Sequence, residues 1–117
     1  MHPELSLLVL KTRQLQDLLN FYTTLGLSFQ EEKHGNGPVH FSCSIGRLLM
    51  EIYPLPKSME IADKTTRIGF TVTNLDEIIK ILKDDNNKIV SEPANNEWGY
   101  SAVVKDPDGR SVELREK

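Results

Sequence analysis

One order of elements occurs twice in this chain, and a sequence that repeats itself in this way has to fold as two similar halves. In the first half, LSLLVLK carries apolar residues on both faces and reads as an interior strand covered on both sides. Leu15, Leu18, Leu19, Tyr22 and Leu25 then follow helical spacing, and Gly26 stands where a helix terminator belongs. Three extended segments come next, LSFQEEK, VHFSCSI and RLLMEIYP, separated by HGNGP and by a turn at Gly46.

After the connector LPKSMEIADKT the pattern starts again. RIGFTVT is a strand, and Asn74 with Glu77 three residues later predicts a capping box. Leu75, Ile78, Ile79 and Leu82 supply the apolar stripe of the second helix, and Asn86 and Asn87 suit the left-handed conformation that ends one. KIVSEP, YSAVVKD and RSVELRE complete the half, with Asp106-Pro107-Asp108-Gly109 read as a turn and nothing more. The expected fold class is α+β, built from two tandem βαβββ modules: module one at 5–54, a linker at 55–65 and module two at 66–116.

With 117 residues, the chain suits a single domain rather than two. A net charge of −3 without any cluster of Lys and Arg argues against a nucleic-acid partner. No apolar run approaches the roughly 20 residues of a membrane span. The start, MHPELSLLVLK, has neither a basic region nor a cleavage site, so a cytoplasmic protein is expected. Cys43 has no partner for a disulfide and reads as a small buried residue.

The two halves align on their helices and final turns. Leu15 matches Leu75, and Gly46-Arg47 matches Gly109-Arg110. Leu7 then matches Arg67, each eight residues before its helix-opening leucine, and Glu51 matches Glu113 near the end of each last strand. These four positions are expected to converge.

The pieces LNFYTTLGL, LLMEIYP, RIGFTV, SEP and above all EWGYSAVVKDPDGRSVEL occur in an order that resembles the glyoxalase/bleomycin-resistance/dioxygenase, or vicinal oxygen chelate, superfamily. The resemblance spans nearly the whole chain, 1–117, and implies a glyoxalase-like fold in which each module curls into half of an incomplete barrel. Two such halves enclose a cleft, which many members complete by dimerising. The resemblance also implies a divalent metal held by histidines on the first strands and glutamates on the last, where it chelates two substrate oxygens.

Carried over residue by residue, the glutamate positions hold Glu51 and Glu113, but the histidine positions hold Leu7 and Arg67. Leucine has no lone pair and a guanidinium stays protonated, so neither replaces an imidazole. A cation at Arg67 would also repel an ion by about 4 kcal/mol per unit-charge pair at 4 Å and an effective dielectric near 20. No metal cofactor is therefore expected. Arg67 is expected instead to pair with Glu113, Glu51 or both, and to offer its remaining donors to an anionic ligand.

Further candidates for the cleft are Trp98 and Tyr100, which flank Gly99 and would stack on a planar ligand. His40 stands mid-strand and offers an imidazole by position, although a lone strand histidine is more often structural. His34 and His2 are expected in solvent. The reading favoured by the missing imidazoles is a metal-free binder of a small-molecule ligand, a homodimer of the bleomycin-resistance type. The alternative is a metal-dependent lyase or dioxygenase of the glyoxalase I or extradiol dioxygenase type, with Glu113 or Glu51 as catalytic base in an altered site. A third class, an interaction module that kept the fold without the pocket, is also open.

Overall fold

The computed structural model describes residues 1–117. Module one comprises β1 (Leu7–Thr12), α1 (Leu15–Thr24), β2 (Gln30–Glu32), β3 (His40–Ile45) and β4 (Leu48–Pro54). Module two repeats it with β5 (Ile68–Val72), α2 (Leu75–Asp84), β6 (Ile89–Asn96), β7 (Gly99–Lys105) and β8 (Ser111–Glu116). Each module forms a four-stranded mixed sheet, ordered β1-β4-β3-β2 and β5-β8-β7-β6. The first and last strands of each module pair in parallel, as β1 with β4 and β5 with β8, and the remaining pairs are antiparallel. Neither sheet closes on itself, and the molecule is flat, 47 × 41 × 23 Å.

Strand alternation sorts side chains into two faces. Leu10, Met50 and Ile52 of the first sheet, and Ala102, Val104, Val112 and Leu114 of the second, turn toward the helices. There they meet Leu18, Phe21 and Tyr22 of α1 and Leu75, Ile78, Ile79 and Leu82 of α2 in one apolar cluster that spans both modules. The other face of each sheet carries Val9, Glu51 and Ser42 in register on the first, and Gly69, Glu113 and Val103 on the second. No helix of the chain covers these faces, and none is long and apolar enough to cross a membrane.

Three local expectations need correction. β1 is an edge strand, not an interior one; its first residue, Leu7, is 51% exposed, and Leu5 just ahead of it is 71% exposed. Its continuous apolarity follows from having one face on the core and the other unclad within the chain. Asn74 precedes α2 but makes no side-chain cap; it sits at φ 58°, and Glu116 from β8 accepts the Leu75 amide at 3.0 Å instead. A carboxylate from a distant strand thus satisfies an orphan donor at the positive end of the helix.

The third correction concerns the 106–109 turn. Gly109 adopts φ 94° and donates its amide to the Asp106 carbonyl, as such a turn requires. Asp106 is also a junction between the modules, with its side chain fully buried. One carboxylate oxygen accepts the amides of Asp108 and Arg110; the other accepts the Tyr22 hydroxyl of α1 at 2.8 Å and Arg110 Nη1 at 3.1 Å. Arg110, equally buried, sends Nη2 to the Lys11 carbonyl of β1. Gln14 adds a bond to the Pro107 carbonyl.

Burial first, and then the Asp106 carboxylate, push the Tyr22 hydroxyl far above the ordinary tyrosine range near 10. On alkalinisation the unfolded chain sheds this proton past pH ~10 while the folded chain keeps it. The resulting stabilisation is complete below that pH and is lost as pH rises above it. Urea midpoints are expected to fall above pH ~10, and Tyr22→Phe to flatten that fall. Parallel declines in the two proteins would refute the role of Tyr22.

Candidate functional site

The open face of the second sheet forms a groove of about 630 Å³, with Gly69, Asn96, Trp98, Ser101, Glu113 and Arg115 among its lining residues. Glu113 projects into it from β8. Arg67, just ahead of β5, donates Nη2 to Glu113 Oε2 at 2.7 Å, and this is its only hydrogen bond to the protein. A guanidinium carries five N–H donors, so most of this fork remains free. Arg115, in register with Thr71 and Ser101, presents a second guanidinium without a protein partner. Glu113 thus contributes one negative charge beside these two guanidiniums.

Trp98 stands in the turn between β6 and β7, 68% exposed, with its amide donating to Asn96 Oδ1. Its ring is available to a ligand because the turn, not the core, holds the residue in place. Tyr100 was expected beside it, but β7 alternation sends Tyr100 to the opposite face. There it packs against the core, and its hydroxyl donates to Asp76 of α2 at 2.6 Å. That hydrogen bond, followed by burial, pushes the Tyr100 hydroxyl above its ordinary range. Tyr100 is therefore not a lining residue. Arg115 was missed because a strand that ends in alternating charges looks the same in a groove as on an ordinary surface.

The first sheet holds a different constellation. Glu51 does not meet Arg67 or Glu113: the sheets share no strand pairing, and Glu51 forms no ion pair with Arg67. Its neighbour is His40 of β3, whose Nε2 lies 3.6 Å from Glu51 Oε2 and 3.7 Å from Glu32 Oε1. His40 is 1% exposed, stacked on the Tyr53 ring at 4.1 Å, and contacts the His34 ring at 5.1 Å. The Tyr53 hydroxyl, 3.2 Å from His40 Nε2, is pushed upward by burial and then by Glu51 and Glu32. Leu7 lies two strands away on the same face, paired with Leu49 and half-exposed. The four positions expected to converge are thus split between two sheets within one chain.

The model of the glyoxalase/bleomycin resistance protein/dioxygenase superfamily matches residues 5–114. The chain belongs to this superfamily. Among solved structures, a glyoxalase/dioxygenase from Nostoc punctiforme is similar at 17% identity and TM-score 0.77, over 97% of this chain and 90% of that one. An antibiotic-binding protein from a Streptomyces species is similar at 17% identity and TM-score 0.73, over 98% of this chain and 96% of that one. An integron cassette protein from V. cholerae reaches 23% identity and TM-score 0.69, over 99% and 96%. At these identities the likeness is one of fold. No curated protein matches by sequence.

The residues at the four positions that the sequence resemblance assigns to a metal do not fit a divalent ion. Leu7 has no donor atom, Arg67 is a cation whose guanidinium already lies on Glu113, and Glu51 stands on another sheet beside His40.

Proposed function

We propose that this superfamily member binds a small planar anion in the groove of its second sheet, without metal chemistry at Leu7, Glu51, Arg67 and Glu113. The observation that carries the reading is the Arg67–Glu113 ion pair of 2.7 Å at a groove that also presents Arg115 and an exposed Trp98. Glu113 fixes one edge of the Arg67 fork, and the free N–H groups suit a carboxylate or phenolate. Trp98 supplies a face on which a ring stacks. A binder is compatible with the fold, which an antibiotic-binding protein also has.

The proposal includes a homodimer. Leu7 and Leu49 leave an apolar strip on the open face of sheet one, and a second copy that covers it would wall the groove with a further sheet. Sedimentation velocity tests this part, and a monomer at every concentration would remove it.

The ligand class is tested by thermal shift with matched aromatic acids and amines. The acids are expected to stabilise, and Arg67→Ala to weaken them about 10–100-fold, the worth of one charge-assisted hydrogen bond. Stability itself should change by less than about 1 kcal/mol, because the pair is 70% and 50% exposed. Equal response to acids and amines, or acids indifferent to Arg67→Ala, would sink the reading.

A further inference from the structure

We infer that Glu32, His34 and His40 form a site for a zinc-like transition-metal ion on the open face of sheet one, on a different sheet of the chain from the proposed groove. One ligand atom from each of the three residues falls within 4.8 Å of the others. They come from consecutive pieces of chain: Glu32 ends β2, His34 sits in the turn, and His40 opens β3 directly opposite Glu32.

The ring of His40 is oriented as a metal ligand would be. Its Nδ1 lies 3.2 Å from the Pro38 carbonyl, an acceptor for an Nδ1 proton, which is the arrangement in which Nε2 can coordinate an ion. Nε2 faces Glu32 and Glu51 at 3.7 and 3.6 Å, with the Tyr53 hydroxyl at 3.2 Å. The side chain is buried and held by the stacked Tyr53 ring, so it cannot turn out to water. A cation at this point satisfies the imidazole and both carboxylates at once.

Two imidazoles and a carboxylate select a borderline metal over magnesium or calcium, which prefer all-oxygen shells. Zinc bonds of about 2.0–2.2 Å place tetrahedral ligand atoms roughly 3.4 Å apart. The His40–Glu32 separation is already close to that. His34, exposed in the turn between β2 and β3, has only to swing inward. Three protein ligands leave a fourth position for water or for Glu51.

The full-length chain, freed of metal with a chelator, is titrated with Zn²⁺ against a chromophoric competitor, with melting temperature followed in parallel. One equivalent is expected to bind, raising the melting temperature by roughly 5–10 °C at saturating zinc. His34→Ala and Glu32→Gln, both at accessible positions, should each weaken binding at least about 10-fold, the effect of one lost ligand group. His2→Ala and Arg67→Ala should leave it unchanged, which separates this site from terminal binding and from the groove. No uptake, uptake lost with His2→Ala, or uptake indifferent to either His34→Ala or Glu32→Gln would overturn the assignment.

Discussion

Replacing Asp106 by alanine is expected to lower the unfolding free energy by about 3–5 kcal/mol, the loss that follows when one partner of a buried ion pair is removed. For a chain of this length that corresponds to a fall in melting temperature of roughly 12–20 °C. The size follows from what would be stranded. Arg110 is 1% exposed and would keep its charge with Asp108 as its remaining acidic partner, while the Tyr22 hydroxyl and the amides of Asp108 and Arg110 would lose their acceptor. Arg110 Nε already has no hydrogen-bond partner, so this guanidinium has little slack. Replacing Asp106 and Arg110 together by leucine and methionine should recover only part of the loss, because it removes the stranded guanidinium but leaves the buried Asp108 carboxylate without its Arg110 partner. Urea denaturation of the two proteins measures both effects. A cost below about 1 kcal/mol for Asp106→Ala would mean that this junction is not desolvated.

Leu82→Ala is expected to cost about 2–5 kcal/mol, since the side chain is fully buried in α2 and its removal leaves a cavity. The more telling result is where that loss is felt. Leu82 belongs to module two, but the apolar cluster around it continues through Leu18 and Tyr22 to Met50 and Ile52 of module one. The Asp106–Tyr22 and Arg110–Lys11 hydrogen bonds cross the same boundary. Hydrogen exchange should therefore accelerate equally in β4 and β8, as it does when one cooperative unit opens. Unchanged protection in β4 would show that the modules unfold separately.

How much of this was legible in the sequence depended on the range of the interaction. The helices at Leu15–Thr24 and Leu75–Asp84 and the eight strands follow from side-chain periodicity, which each segment carries within itself. The turns at Gly26, Asn86 and Gly109 were equally visible, and all three take positive φ. Arg67 was expected to pair with Glu113, Glu51 or both, and the ion pair forms with Glu113, which β8 carries beside β5 just after Arg67.

Other features were hidden for definite reasons. His34 looks like an ordinary turn residue until β2 and β3 fold back and set it against His40. Glu51 was matched to Glu113 by symmetry of sequence, but the sheets keep them apart within one chain. Arg47 and Arg110 occupy equivalent positions after a glycine, yet Arg47 is exposed beside Glu4 while Arg110 is buried. Nothing local distinguishes them, because only the packing of α1 against the second module's turn makes them different.

The sequence by itself determined the two βαβββ modules and their turns, because these depend on residue type and short-range spacing. Only the tertiary structure decided which carboxylate faces which cation, that Tyr100 turns inward while Trp98 stays out, and that His40 lies among acids. Those outcomes rest on through-space distances between strands, and in a linear chain such distances are fixed only when the sheets pack.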